Sequence, residues 1–509
     1  MTDNRFPARA AAVLPTRRQL LAGAGGVAAG AVLAACSTAP SGGGGGPSGG
    51  QPGTGATGGG TTGGTGPLTW WDQFAPLQDL QKATFQRFAG QGGPQVEYTV
   101  YNPNEQGQAL QLAFSSQQLP DVFSLAGVGV PPSVLMNQGW FSPLANGEEL
   151  RSAVPEGTLI EGLHSFDDQL YSFPIFSTRQ YDGLLWYSRS AVEAAGLDPD
   201  TPPASWDDLR AAARAVQDSG TSGLLLPLQF GERMATFVLE LAQAAGFPGA
   251  TQGGSNGVDL STGEYAYHHD SVVSAIEFLL SFQTDGLLFP ASSSLDARAG
   301  RARWAAGGAA FFLDGPYCPG VVVRDFAAFA DQLAVGALPT PDGSAPVLNR
   351  TPVGGTFWVS GQSDQVDQAA ELLALLVGEE YQAGLAEAMD QPPFDLAAVA
   401  GSGAHPTYKR AVEMFGEQVF VAPAPQARPG VTDVEAAMGT VEPGLGAIVQ
   451  GAFSGQVSDV RGALRELSDK LTAAREKAVA EVGGDVSVES WAFPEWQPGT
   501  DFDVSGYAR

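Results

Sequence analysis

Cysteine is almost absent from this chain, which has two among its 509 residues, Cys36 and Cys318. Two thiols cannot build a disulfide scaffold or supply a metal site that needs several thiolates. If Cys36 carries a lipid, Cys318 has no partner within the chain. The four histidines include one adjacent pair, His268 and His269. Adjacent side chains point apart in an extended segment, so we predict no metal site and no cofactor.

Basic residues are also scarce, because 26 lysines and arginines face 54 aspartates and glutamates and leave a formal net charge of −28. Such an acidic surface repels phosphate backbones, which argues against nucleic-acid binding. Apolar residues are plentiful at 43%, so we expect a globular body. A chain of this length predicts two domains, since single cores rarely exceed about 300 residues.

A long apolar run is missing as well. Residues 22–35 are too short and too rich in glycine to hold a bilayer core of about 20 apolar residues. They follow the twin-arginine segment Thr16–Leu21 and end in Leu33–Cys36, which resembles a bacterial lipobox. This order predicts a twin-arginine-type lipoprotein signal peptide over residues 1–35 and lipid attachment at Cys36.

The segment after Cys36 is composed almost wholly of glycine, serine, threonine and proline as far as Pro67. Such a composition buries too little apolar area to offset chain entropy, so residues 36–67 are predicted to be a disordered linker behind the lipidated cysteine. The expected location is therefore the extracytoplasmic face of a bacterial cell membrane, with the lipid as the only membrane attachment.

From Leu68 onward the pattern is that of an α/β body. Strands are predicted over residues 68–71, 96–101 and 121–125, with helical spacing at 80–88 and 109–116 between them. This alternation is typical of a parallel sheet, in which ligands bind beyond the carboxyl ends of the strands. Later segments follow the same pattern. Strands are predicted over residues 184–188, 309–313 and 357–360. One helix opens at the N-cap Ser205, a second runs from the N-cap Asp270 through Ile276 to Phe282, and two more cover about 366–377 and 457–481.

The order of landmarks resembles the family 1 extracellular solute-binding proteins, whose best-known members bind maltose and other oligosaccharides. The matching pieces are short, and their order over residues 68 to about 480 carries the likeness. They are Leu68–Asp72, Leu119–Val122, Gly139–Leu144, Asp168–Pro174, Leu185–Arg189, Ala195–Leu197, Ser205–Leu209, Arg303–Phe311, Gly315–Tyr317, Gly354–Val359 and Ala369–Val377.

The resemblance implies the periplasmic-binding-protein-like class II fold, with two α/β lobes joined by hinge crossings around a ligand cleft. Lobe I would comprise residues 68–175 plus 339–398, and lobe II 176–338 plus 399–482. Residues 483–509 extend past the family pattern, and we expect Trp491, Phe493 and Trp496 to pack onto a lobe. A closed, liganded form would dock on the permease of an ABC importer.

Two positions depart from the family pattern. An asparagine–lysine pair usually follows the lobe II tyrosine, and here Ser188 and Arg189 stand there. The tryptophan common after Gly-Pro is here Tyr317.

A sugar site needs hydrogen-bonding side chains around a rim and flat aromatic rings against the C–H faces. Tyr317, at a strand end that faces the cleft by the resemblance, is the best stacking candidate. The other ligand-binding candidates follow strand ends, begin helices or lie in loops near the crossings. They are Asp72, Gln73, Gln106, Gln108, Gly127, Arg179, Tyr181, Glu232, Arg233, Gly354, Gly355 and Arg428.

The sequence therefore predicts a non-catalytic, monomeric receptor that captures a small solute, a sugar or oligosaccharide, and delivers it to ABC permease subunits. The alternative is a secreted carbohydrate-active lyase or hydrolase anchored at the cell surface. An enzyme of that kind needs a paired acid and base, and no motif selects two of the many carboxylates. The pattern Gly-x-Ser-x-Gly occurs at residues 46–50 and 253–257, in glycine-rich stretches that lack the strand and helix patterns flanking a nucleophile elbow.

Overall fold

The computed structural model describes residues 66–252, 256–503 and 507, so the signal-peptide, lipidation and linker predictions for residues 1–65 lie outside the described residues. The strands are short, as befits an α/β body. They are β1 (Leu68–Asp72), β2 (Val96–Val100), β3 (Val122–Phe123), β4 (Ser165–Phe166), β5 (Gln169–Leu170), β6 (Leu184–Ser188), β7 (Ser222–Leu225), β8 (Ala309–Asp314), β9 (Leu333–Gly336), β10 (Leu348–Arg350), β11 (Trp358–Val359) and β12 (Val419–Val421).

Helices make up most of the remaining regular structure. They are α1 (Gln78–Gly90), α2 (Pro103–Ser115), α3 (Pro132–Asn137), α4 (Gly147–Ala153), α5 (Arg189–Ala194), α6 (Trp206–Asp218), α7 (Gly231–Ala244), α8 (Asp270–Thr284), α9 (Ala297–Ala305), α10 (Cys318–Asp325), α11 (Ala327–Ala330), α12 (Val366–Ala374), α13 (Glu379–Ala388), α14 (Leu396–Gly401), α15 (Pro406–Gln418), α16 (Val431–Met438), α17 (Leu445–Phe453) and α18 (Val460–Val482). Within the described residues, none is both long and apolar enough to cross a bilayer.

The first sheet has the order β11-β3-β1-β2. Strand β1 pairs in parallel with β2 and β3, as the alternation of strands and helices predicts, and β11 joins antiparallel from far along the chain. Its core includes Trp70, whose ring lies 5.0 Å from that of Phe85 and 4.5 Å from that of Phe357. Residues near position 70 and near position 357 therefore share one core.

The second sheet has the order β7-β8-β6-β9. Strands β7 and β8 are parallel, whereas β6 pairs antiparallel with both β8 and β9. Its largest core residues, Trp186 and Trp304, are fully buried in an apolar cluster separate from that of the first sheet. Two sheets with separate cores give the two-lobed architecture that the resemblance implies.

The helix starts test the sequence predictions closely. Ser205 caps α6 through a capping box with Asp208, as predicted. The prediction for α8 is wrong by one residue, because His269 is the N-cap and Asp270 is the first helical residue. The His269 ring nitrogen accepts the hydrogen bond from the Ser271 N–H that an aspartate cap would take.

Several segments of the chain run side by side between the two cores. The Thr356 N–H donates to the Phe173 carbonyl at 3.0 Å, and the Val353 N–H donates to the Thr178 hydroxyl at 3.2 Å. Strands β10 and β12 form a parallel pair nearby, and Arg350 of β10 donates to the Gln180 carbonyl. We call residues 173–180, 348–356 and 419–421 the crossing segments.

The capping box predicts a measurable contribution to stability. Ser205→Ala removes the acceptor for the Asp208 N–H and should lower the free energy of unfolding by about 1 kcal/mol. Urea unfolding followed by far-UV circular dichroism measures this change. Ser205→Asn is the matched control, because asparagine caps as well as serine does. Equal losses in the two variants would contradict the capping argument.

Candidate functional site

The strand ends of the first sheet meet helices of the second lobe directly. Arg298 of α9 donates to the carbonyls of Gln73 and Tyr101, at 3.2 and 2.6 Å, just beyond the ends of β1 and β2. The Asn102 amide donates to Asp296 at 3.0 Å across the same boundary. These contacts bring the carboxyl edge of the first sheet against the second lobe, and we call this boundary the cleft.

Tyr317 lies three residues after β8 ends. Its ring lies 5.0 Å from the Arg233 guanidinium and 5.2 Å from that of Arg301, within the range of cation–π attraction. Its hydroxyl lies 3.3 Å from Asp182, which also accepts from Arg233 at 2.8 Å. A half-buried aromatic ring is thus held in place by charged neighbours.

Behind Tyr317 lies a buried ion pair. Arg301 donates to Asp314 at 2.6 Å, and both side chains are almost fully buried. Removing one partner would leave an uncompensated buried charge. Substitution of either residue should therefore destabilise the end of β8. Asp182 and Arg301 could not be predicted as candidates from the sequence, because only their spatial neighbours mark them as part of this group.

The predicted residues of the first sheet form a second polar group. Gln73 accepts from the Ser124 hydroxyl, and Gln106 donates to the Ser124 carbonyl at 2.9 Å. The Oε1 atom of Gln106 is buried and has no hydrogen-bond partner within the described residues. Gln108, two positions along the same helix, is exposed. The structure therefore brings Gln73 and Gln106 together and leaves Gln108 outside this group.

Asp72 is fully buried at the end of β1. It accepts hydrogen bonds from the Trp70 indole at 2.9 Å and from the Phe74 N–H and the Tyr98 hydroxyl, both at 3.0 Å. Burial raises the pKa of Asp72 to about 7, although these hydrogen bonds oppose the shift. Asp72 therefore connects Trp70, Phe74 and Tyr98 at the end of β1, in the interior of the first lobe.

Three predicted residues are engaged at the crossing segments and the chain end. Arg179 donates to the Val419 carbonyl and pairs with Asp501. The Tyr181 hydroxyl donates to Gln418 at 3.0 Å, and the tyrosine is buried. Arg428 donates to three backbone carbonyls between residues 489 and 492. Their polar groups therefore bind protein partners.

Of the remaining candidates, Glu232 lies in the first turn of α7 and the three glycines lie on loops. Glu232 is exposed, and its carboxylate lies close to Gly129 of the first lobe. Gly127 adopts a φ of +68° and lies so close to α2 that a Cβ atom would meet the Pro103 carbonyl at 2.5 Å. Gly354 is exposed, and a Cβ atom on Gly355 would come within 2.1 Å of the Ser172 hydroxyl. Close packing therefore explains why glycine stands at positions 127 and 355.

Chemically, this arrangement places the aromatic ring of Tyr317 beside hydrogen-bonding groups. Among residues 66–252, 256–503 and 507, no cluster of three or more metal-ligating side chains occurs. Cys318 follows Tyr317 and is buried as a free thiol, and burial raises its pKa well above the usual value. Its sulfur is therefore a poor nucleophile, since the thiolate is the reactive form.

Comparison with known proteins gives one family. A family model of bacterial extracellular solute-binding proteins matches residues 71–383. The sn-glycerol-3-phosphate-binding periplasmic protein UgpB of Brucella melitensis is 26% identical over 298 residues, and that of Rhizobium meliloti is 25% identical over 306. Each match covers 56% of this chain and 64% of the relative, so the chain spans less than two thirds of those proteins.

Solved structures of low sequence identity share the fold. An ABC transporter solute-binding protein from Thermotoga lettingae, bound with alpha-D-tagatose, has a TM-score of 0.61 at 20% identity and covers 81% of this chain and 100% of its own. Maltose-bound MalE3 of T. maritima has a TM-score of 0.60 at 17% identity, with 80% of this chain and 99% of its own covered.

The buried carboxyl groups near the cleft predict a pH-dependent stability. Burial and the nearby charge of Asp72 raise the pKa of Asp390 from 3.8 to about 7. A carboxyl group with a raised folded-state pKa contributes stability at low pH that is lost as pH rises through that value. As pH rises from 5 to 8, the free energy of unfolding of Asp390→Asn should therefore increase by about 1–3 kcal/mol relative to that of the unsubstituted protein.

Urea unfolding at both pH values measures that gain. Asp485→Asn is the control, because Asp485 is exposed, and it should leave the pH profile unchanged. Parallel pH profiles for Asp390→Asn and the unsubstituted protein would contradict the assignment.

Proposed function

The chain belongs to the bacterial extracellular solute-binding proteins, and from that premise we propose that it captures a small solute and delivers it to an ABC importer. The observation that carries this proposal is the cleft, where strand ends of one sheet face the second lobe and Tyr317 presents a held aromatic ring. Capture requires no bond to be made or broken, so the receptor acts without catalysis.

The proposed lobes follow the boundaries expected from the sequence. Lobe I comprises residues 68–175 plus 339–398, and lobe II comprises 176–338 plus 399–482. Hinge bending at the crossing segments would open and close the cleft between them. Leu348 of β10 packs with the core of the second sheet, which supports moving the boundary at the second crossing from residue 339 to a position after residue 348.

Closure is governed by contacts that exist only when the lobes meet. Arg298 bonds two carbonyls of the first lobe, and opening must return those groups to water. A ligand that touches both lobes adds to these contacts and shifts the population towards the closed form. Burial lowers the pKa of Arg298, because desolvation disfavours the charged guanidinium.

A sugar or oligosaccharide is the proposed ligand. The Tyr317 ring offers a flat face for sugar C–H groups, and Asp182 and Arg233 supply hydrogen-bonding groups beside it. Tagatose and maltose are named as ligands of two proteins that share this fold. The names of the curated relatives specify sn-glycerol 3-phosphate, so a polyol phosphate is the competing small molecule in any ligand screen.

The proposed cellular setting is the outer surface of a bacterial membrane. The twin-arginine segment and the Leu33–Cys36 lipobox support export and acylation of Cys36. The Gly- and Ser-rich residues after it would tether the body to the membrane, where a monomeric receptor can reach permease subunits. Because acyl chains carry the anchoring, the body itself needs no membrane contact.

Ligand binding tests the function directly. We expect one sugar or polyol phosphate in a thermal-shift panel to raise the melting temperature and to bind 1:1 in calorimetry, with no product formed. Tyr317→Ala should weaken that binding about 10- to 100-fold, because the stacking face is lost. Tyr317→Phe keeps the ring and should bind within about threefold of the unsubstituted protein. Turnover of the ligand would overturn the receptor function.

Acylation is tested independently of the ligand. Cells fed a labelled fatty acid should incorporate label into the full chain, and Cys36→Ser should abolish it because the acceptor sulfur is gone. Cys318→Ser should remain labelled and serves as the control, since its thiol is buried. Equal labelling of the Cys36→Ser variant would contradict the proposed anchor.

A further inference from the structure

The C-terminal extension begins after α18 and is anchored by aromatic residues. Trp491, Phe493 and Trp496 are buried in a cluster with residues of the second lobe such as Leu260 and Val431. The Arg428 guanidinium lies 3.7 Å from the centre of the Phe493 ring. The extension is thus packed onto a lobe, as expected from its sequence.

Beyond the aromatic anchor, the extension reaches the crossing segments. The Gly499 N–H donates to the Asn349 side chain at 2.9 Å, which ties it to β10. Asp501 accepts from the Val421 N–H at 2.9 Å, and the Phe502 N–H donates to the Val421 carbonyl at 2.7 Å. Both hydrogen bonds engage the backbone of Val421, so the extension lies beside β12 at this residue.

Asp501 joins two crossing segments. One carboxylate oxygen accepts from Val421, while the other pairs with Arg179, which lies in the first crossing segment. Arg179 donates in turn to the Val419 carbonyl. The pair is partly exposed, so its charge attraction is weak alone. Its importance lies in connecting segments that hinge bending would displace.

Tyr507 carries the extension to the first lobe. Its hydroxyl accepts from the Ala424 N–H at 2.8 Å, and its ring lies 4.9 Å from that of Phe502. The ring also packs against the cluster formed by Ile160 and Leu163, which precede β4 in the first lobe. The extension therefore contacts both lobes and two crossing segments while the cleft is closed by Arg298.

We propose that residues 499–503 and Tyr507 act as a strap across the crossing segments, and that Asp501 is a positioning residue that favours the closed arrangement. The proposal rests on the proposed hinge closure, because a strap formed in the closed arrangement adds to its stability only if the lobes open. Loss of the strap should lower the closed population of the ligand-free protein, and ligand binding should weaken by the factor by which that closed population falls.

Fluorescence transfer within the ligand-free full chain tests the strap without any choice of ligand. Dyes are placed on exposed positions of the two lobes with Gln111→Cys and Glu193→Cys, in a Cys36→Ser background. The buried Cys318 thiol should escape labelling. Deletion of residues 499–509 should lower transfer efficiency and raise the open-to-closed ratio about fivefold, and Asp501→Asn should shift it in the same direction by about twofold.

Glu495→Gln is the matched control, because it removes an exposed charge from the same extension and should leave the transfer distribution unchanged. An unchanged distribution after deletion, with normal circular dichroism, would overturn the strap. If the shortened chain fails to fold, the Asp501→Asn variant is the test. An unchanged transfer distribution in that variant would contradict the proposal. A protein that opens and closes but binds no solute would contradict the proposed function and leave the strap intact.

Discussion

The contact of Arg298 with the strand ends of the first sheet is the interaction on which the rest of the site depends. One guanidinium nitrogen serves the carbonyls of Gln73 and Tyr101, which holds the second lobe over the carboxyl edge of the first sheet. In the proposed function, Tyr317, Arg233 and Asp182 form the ligand site together with that edge. Without this closure, each lobe would present its polar groups to water.

The architecture could be predicted from the sequence because hydrophobic periodicity is local. Strand β6 matches its predicted bounds, and β1, β2 and α6 start where the pattern indicates. The cap of α8 could not be predicted, since His269 takes a role that aspartate usually fills. The strand β11 pairs antiparallel with β3 across more than 200 positions of sequence, and such partners leave no local signal.

The site was predictable only in part for the same reason. Tyr317 follows a recognisable strand-end motif, whereas Asp182 and Arg301 are marked by the neighbours that the fold gives them. Arg179 and Arg428 stand out in the sequence as isolated cations near loops, yet both bind protein groups, including Asp501 and the backbone of the C-terminal extension. A cation in a loop therefore indicates a contact without specifying whether ligand or protein provides it.

Hinge closure around the solute is the central claim, and small-angle X-ray scattering tests it most directly. We expect the ligand-free Arg298→Ala variant to have a larger radius of gyration than the unsubstituted protein. A saturating ligand from the thermal-shift panel should reduce the radius of gyration of both proteins. A radius that is the same in the two proteins and unaffected by that ligand would contradict the account.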